Sequence, residues 1–288
     1  MKGEELLFKS VGLVARFDKP KALKLAEELA EHLKAKNLAV YIEDTLTDKI
    51  RVKENLVPLE KLKADFIITI GGDGTILRTC AAIPKPETPI LAVNMGVRGF
   101  LTEVEPEQAF NAVDKCLEGK CTIEKCMKLT ATADGIKFPD ALNEVVVTHD
   151  EPAKLLYMQI LKNNEPILAC EADSLIVSTQ TGSTGYALSA RGPVLDPDVN
   201  AFVLTPICPL TEFHPIVFPA NSSLTIEACK PKRMLVLVDG HHSQIINSKR
   251  PMVTIMHSKH VTQFIRFKPN FYHRLKNRLL FAPLGRKI

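Results

Sequence analysis

No run in this chain of 288 residues is long and apolar enough to cross a membrane. The opening MKGEELLFKS also lacks the apolar core of a secretory signal. The expectation is a cytoplasmic protein without a membrane partner. Short-spaced cysteines are missing too. Among the seven cysteines, Cys116, Cys121 and Cys126 recur at steps that suit neither a zinc pair nor a redox Cys-x-x-Cys. Reduced thiols in a reducing compartment are expected instead. His241 and His242 are adjacent, so on a strand they point to opposite faces and do not share one ion. A strong charge bias is absent. The net charge of +4 suits anionic substrates but is no nucleic-acid signature. The basic stretch Arg274–Arg278, with Arg286 and Lys287, reads as a solvated helix face. There is no internal repeat and no low-complexity segment, and Ile83–Pro89 reads as a loop.

What is present is ordinary globular composition, 45% apolar and 24% charged, with room for one large domain or two medium ones. The first hundred residues alternate between two periodicities. Val11–Arg16, Leu38–Ile42, Asp65–Ile70 and Ile90–Asn94 are short apolar runs of buried-strand type. Lys19–Lys36 carries Ala22, Leu25, Leu29 and Leu33 on one helical face. Such alternation predicts a Rossmann-like parallel sheet with helices on its faces, and a ligand beyond the carboxyl ends of the strands. After the helix-like Pro106–Gly119 the character changes. Leu129–Ala133, Glu144–Thr148, Leu155–Leu161, Leu175–Ser178, Leu224–Ala228, Leu235–Val238 and Val253–Met256 are β-patterned. Asp134-Gly135, Asn163-Asn164 and Asp239-Gly240 are turn signals. The fold class expected is an α/β domain over 1–119 joined to an all-β sandwich over 120–268. Phe271–Phe281 has helical spacing, so about 269–288 is expected to pack back on the first domain.

Two segments carry chemistry. Gly71-Gly72-Asp73-Gly74-Thr75 follows the strand DFIITI and precedes a short helix read at Ile76–Ala82. Glycines at a strand end let backbone N–H groups approach a phosphate, and a helix start adds favourable donors and dipole. An acid in such a loop is repelled by phosphate unless it faces a metal ion or a proton to be removed. That pattern points to phosphoryl transfer. The second segment is STQTGSTGYALSA at Ser178–Ala190, with four hydroxyl residues and two glycines between Thr179 and Gly185. Its donors suit a phosphate or ribose. Asp173 and the pair Asn143-Glu144 add polar groups at strand ends. Asn and Asp can read a base edge, and acids hold ribose hydroxyls. Each also has a plain structural use, as turn former, strand-terminal cap or solvated acid.

In order, the chain reads GGDGT, NMGVRGFL at Asn94–Leu101, NE at Asn143-Glu144, ADSLIVSTQTGSTGYALSA at Ala172–Ala190, and DG at Asp239-Gly240. This resembles the NAD kinase family, and the resemblance runs through most of the chain. Diacylglycerol and sphingosine kinases and phosphofructokinases share versions of GGDGT; the TGST-x-Y segment with the NE pair is far more specific. The resemblance implies phosphoryl transfer from ATP, or inorganic polyphosphate, to the 2′-hydroxyl of the adenosine ribose of NAD, giving NADP. It implies Mg²⁺ bound largely through the phosphates, a site between an α/β domain and a β-sandwich, and a homodimer or homotetramer.

By the same resemblance Asp73 activates the 2′-hydroxyl, with Gly72, Gly74 and Thr75 near the phosphates. An aspartate near its ordinary pKa of about 3.9 is a weak base, so orientation and late proton uptake would be its contribution. Phosphoryl transfer rests largely on placement and charge neutralisation, so a modest base suffices. Phe100 matches an aromatic of the adenine pocket. Asn143 and Glu144 match the NAD-contacting pair, Asp173 an acid at the nicotinamide end, and Asp239 the acid of the late DG pair. Thr184, Gly185 and Tyr186 match positions lining the NAD site, supported by Ser183 and Ser189.

Departures are Ser174 where the family usually has Gly, Gln180 for Pro, Gly185 for Ala and Arg191 for Gly, with Arg98 an extra cation. Ser174 and Arg191 put the local backbone geometry in question. Two other readings stay open at this point: a non-catalytic NAD(P) sensor, and a lipid kinase of the diacylglycerol type.

Overall fold

The computed structural model describes residues 8–51, 55–96, 99–268 and 271–276, and divides the chain into two compact units. The first holds residues up to Lys125 and from Thr262 onward; the second holds Cys126–Val261. The divisions therefore fall at 125/126 and 261/262 rather than after 119 and 268. The cause is a long last strand whose final residues, among them Phe264, pair with the first unit's sheet.

In the first unit, β1 (Ser10–Ala15), α1 (Pro20–Ala35), β2 (Ala39–Glu43), β3 (Leu56–Val57), β4 (Phe66–Gly71), α2 (Asp73–Ala82), β5 (Ile90–Asn94) and α3 (Ala109–Leu117) follow one another. The strands are parallel in the order β3-β2-β1-β4-β5. Every residue of β4 and β5 is buried, as expected of central parallel strands whose two faces are both covered. Helix α1 turns Leu25, Leu29 and Leu33 inward, each burial stabilising by about 2 kcal/mol. The chain winds outward from β1 through β2 to β3, then resumes at β4 on the other side of β1. This reversal between β1 and β4 is the topological switch point of the sheet, and α/β sheets bind ligands beyond the carboxyl ends of the strands at such a point.

The second unit contains most of β6 (Thr122–Ala133), then β7 (Ile136–Lys137), β8 (Glu144–Thr148), β9 (Leu156–Lys162), β10 (Glu165–Ala172), β11 (Ser174–Ser178), α4 (Tyr186–Ser189), β12 (Ala201–Ile207), β13 (Ile216–Pro219), β14 (Ser223–Lys230), β15 (Met234–Val238), β16 (His242–Ile246) and the first part of β17 (Met252–Arg266). One antiparallel layer runs β10-β9-β14-β17 and the other β13-β12-β11-β8-β15-β16. Their facing side chains, including Leu129, Val145, Met158, Val177, Phe202, Ile226, Val236 and Ile255, form one core. Asp134-Gly135, Asn163-Asn164 and Asp239-Gly240 all have positive φ at both residues, the conformation of tight hairpin turns matched to strand twist.

Helix α5 (Phe271–Arg274) begins the expected Phe271–Phe281, and Leu275 and Lys276 continue it as a π turn; residues 277–281, like Arg98, Arg286 and Lys287, lie outside the described residues. The basic face expected at Arg274 is corrected. Arg274 is 5% exposed, with its guanidinium over the Phe100 ring and against Glu103. No helix among the described residues is long and apolar enough to cross a membrane.

Candidate active site

The GGDGT segment sits at the carboxyl end of β4, and the helix after it begins earlier than the sequence suggests. Gly72 is extended at φ −107° and ψ −170°, and α2 opens at Asp73 rather than Ile76. Asp73, Gly74 and Thr75 thus form its first turn, where the helix dipole favours an anion, with Thr75 N–H donating to Gly72 O at 3.0 Å. A side-chain carbon at Gly72 or Gly74 would meet nothing within 4 Å, so both backbones are open to a ligand. The Asp73 carboxylate is fixed by two donors. It accepts the backbone N–H of Phe100 on one oxygen and of Leu101 on the other, each at 2.9 Å. Phe100 thus meets Asp73 through its backbone, while its ring packs edge-on against Phe271 at 5.8 Å. Asn94-Met95-Gly96 lines a cleft of about 620 Å³ beyond the end of β5, with Lys21 and Lys24 of α1 opposite Glu105 and Glu107.

In the second unit the hydroxyl-rich loop folds onto the Asn143-Glu144 pair. The Thr179 hydroxyl donates to Leu142 O at 2.6 Å and accepts the Gly182 N–H, while Thr179 N–H reaches Asn143 O at 2.9 Å. Gly182 lies so close that a side-chain carbon there would stand 2.0 Å from Asn143 O. No other residue fits. Gly185 tolerates the alanine expected by resemblance better, its nearest neighbour being Gly182 O at 3.3 Å, with the Glu144 carboxylate 3.6 Å away.

Asp239 holds the pair from the opposite side. Its carboxylate accepts the N–H groups of Leu142, Asn143 and Glu144 at 2.7, 2.8 and 3.0 Å. Burial raises its pKa, opposed by these amides and by Lys128. Glu144 is 8% exposed, and burial first, then the neighbouring Asp239 charge, pushes its carboxyl up to about 8. One Glu144 oxygen and the Asn143 side-chain oxygen are buried without a hydrogen-bond partner among the described residues. Buried polar atoms are normally satisfied, so this pair has acceptor capacity left for donors other than the described residues.

The other expected residues divide. Ser183 is consumed internally, donating to Gln180 O and accepting Leu195 N–H, and the Thr184 hydroxyl donates to Thr181 O. These two build the loop. Tyr186, 49% exposed, and Ser189 face outward on α4. Asp173 is not brought to the cluster. Glu144 pairs with Ser178 at one end of β11, whereas Asp173 precedes Ser174 at the other, about 16 Å away at roughly 3.3 Å per residue.

The departures find places. The Ser174 hydroxyl donates to Thr148 Oγ1, and the Gln180 amide to Val199 O. Arg191 takes φ 64°, the left-handed conformation that glycine adopts more readily, at a strain of about 1 kcal/mol. His241 and His242 join no metal cluster, and no group of three or more His, Cys, Asp or Glu side chains among the described residues could hold an ion. The described cysteines are free thiols.

Within the first unit, a carboxylate in the first turn of a helix that follows a glycine-rich strand end is the arrangement of a phosphotransferase. Comparison with known proteins makes that particular. Residues 11–121 match the model of the ATP-NAD kinase N-terminal domain, and residues 142–267 that of the ATP-NAD kinase C-terminal domain. The NAD kinase of Methanothermobacter thermautotrophicus is 36% identical over 94% of this chain and 96% of its own. That of Thermococcus gammatolerans is 41% identical over 93% and 98%. The crystal structure of an NAD kinase from Archaeoglobus fulgidus in complex with ATP superposes with a TM-score of 0.77 at 28% identity, covering 92% of this chain and 96% of that one. A yeast NADH kinase complexed with NADH shares the fold, with a TM-score of 0.87 at 22% identity. The chain belongs to the NAD kinase family.

Proposed function

We propose that this chain transfers the γ-phosphoryl group of ATP to the 2′-hydroxyl of the adenosine ribose of NAD, giving NADP, with Asp73 receiving the hydroxyl proton. The observation that carries this reading is the unsatisfied pair at Asn143 and Glu144. A carboxylate in a dry site takes ribose hydroxyls, and a carboxamide takes an adenine edge. Asp239 and the Thr179–Gly185 loop hold that pair in place, and Tyr186 and Ser189 lie at its margin. Gly72, Gly74 and Thr75 offer the phosphates the open backbone of a helix start. ATP as donor is supported by the Archaeoglobus fulgidus relative, whose crystals contain it.

Magnesium fits this donor set in a restricted way. Asp73 is the carboxylate of the phosphate loop, and no three-ligand protein cage exists among the described residues. Mg²⁺ keeps water and phosphate ligands readily, so the ion would ride on the donor's phosphates near Asp73. When bound it would neutralise charge on the transferring group. Exposed Ile167, Val217 and Ile245 on β10, β13 and β16 support assembly into a homodimer or homotetramer through sheet edges.

The test is NADP formation from NAD, Mg²⁺ and either ATP or polyphosphate, followed with glucose-6-phosphate dehydrogenase. Wild-type protein should form NADP. Asp73→Asn should lose roughly 10²-fold or more in turnover while binding NAD within a few-fold. NAD binding without NADP formation would replace this reading with that of a sensor.

A further inference from the structure

Asp73 owes its orientation to the Phe100 and Leu101 amides, so whatever fixes that peptide segment fixes the carboxylate. One side chain does so from far along the chain. Arg266, at the end of β17 and 6% exposed, donates from Nη1 to Leu101 O at 3.0 Å. The same Nη1 reaches Glu103 at 3.2 Å, and Nε donates to Glu124 at 2.6 Å. Glu103 in turn accepts Phe267 N–H at 2.9 Å and faces Arg274 at 3.5 Å. Arg266 and Arg274 thus balance Glu103 and Glu124, and the fork of Arg266 is locked on two sides before it meets Leu101. A planar guanidinium can serve these partners together; an ammonium group cannot hold them in the same directions.

Resting on the role proposed for Asp73, we infer that Arg266 is a positioning residue for phosphoryl transfer. It holds the Leu101 carbonyl, and with it the residue's backbone, so that the N–H on the other side of the Leu101 Cα fixes one Asp73 oxygen. The relay is Arg266 to Leu101 O, then Leu101 N–H to Asp73, all within the first unit. No sequence motif marks it.

Arg266→Lys tests this with the charge retained. The expected result is a kcat about 10-fold lower or more, with KM for NAD and ATP within about 3-fold, since placement in the transition state is lost and substrate binding is not. In an Asp73→Asn background the same change should cost nothing further, because the relay then ends on a group that has already lost its function. A crystal structure of Arg266→Lys should show the Leu101 N–H drawn off the Asp73 carboxylate. Should Arg266→Lys fail to fold, the charge-balanced pair Arg266→Met with Glu124→Leu removes the Leu101 bond and leaves Glu103 with Arg274; the same outcomes apply. Unchanged kcat, an equal loss in the Asp73→Asn background, or an undisturbed Leu101–Asp73 bond would each overturn the inference. Absence of NADP formation by wild-type protein would instead defeat the proposed reaction, and the crystal structure would still decide the relay.

Discussion

Glu144→Gln removes a titration that the fold opposes. The side chain lies in the second unit's cluster, 8% exposed and beside Asp239, and its carboxyl is pushed from an ordinary 4.5 up to about 8. Below pH 4.5 folded and unfolded chains both carry the proton, and the stability conferred by the neutral carboxyl is fully present. As the pH rises from there to about 8 the unfolded chain ionises while the folded one does not. That stability is lost progressively, by about 1.4 kcal/mol per pH unit. Across the whole window the ceiling is on the order of 5 kcal/mol, and structural relaxation should leave a few kcal/mol. Glutamine keeps the shape and has no proton to lose.

The stability advantage of Glu144→Gln over wild type should therefore be small at about pH 5 and grow steadily to about pH 8. Urea unfolding followed by circular dichroism without NAD would measure it. NAD affinity of the wild type should tighten over the same window, as the ionised carboxylate becomes the better acceptor for ribose hydroxyls; that of the variant should not. Parallel stability curves for the two proteins would refute the reasoning, because Glu144 would then be ionised in the folded chain at neutral pH.

Gly182→Ala must displace the Asn143 backbone, since the new carbon would stand 2.0 Å from its carbonyl oxygen. KM for NAD should rise by about 10-fold or more and the melting temperature should fall, as steady-state kinetics and calorimetry would show. Arg78→Leu leaves Glu43, 1% exposed and bonded to both terminal Nη atoms of Arg78, as an unpaired buried charge. It should lose about 3–5 kcal/mol in urea titration at neutral pH, with Glu43→Gln in the same background recovering much of it.

Much of this site is legible in the sequence because its parts are local. GGDGT, the NE pair and the TGST loop each occupy a few consecutive residues, and their glycines and hydroxyls announce close backbone approach. The parallel strands β1, β2, β4 and β5 are legible for the same reason, as short, mostly apolar runs, whereas β3, two residues long, is not. Strands β10 and β16 are not, since edge strands bury one face at most and HSQII or EPILACEA shows no clean alternation. Pro206 obscures β12 in the same manner. The length of α2 is misread because Asp73 and Gly74 look like loop residues, whereas two amides from another loop hold Asp73 at a helix start. Arg266 and Glu103 meet across 163 positions of chain, which no local pattern encodes.

The route of the chain also has a consequence for synthesis. The first unit is left at Lys125 and resumed only at Thr262. On the ribosome, β5 emerges long before β17, the strand that pairs beside it through Phe264 and Ile90. Throughout that interval the start of β5, around Ile90, lacks its partner strand while Ala92–Asn94 is already bonded to Glu103 and Val104, and Glu103 waits without Arg266. The second unit must be made before the first can be sealed. A chain stalled short of Thr262 would carry the phosphate loop in a domain still lacking its last strand, with an edge open to aggregation.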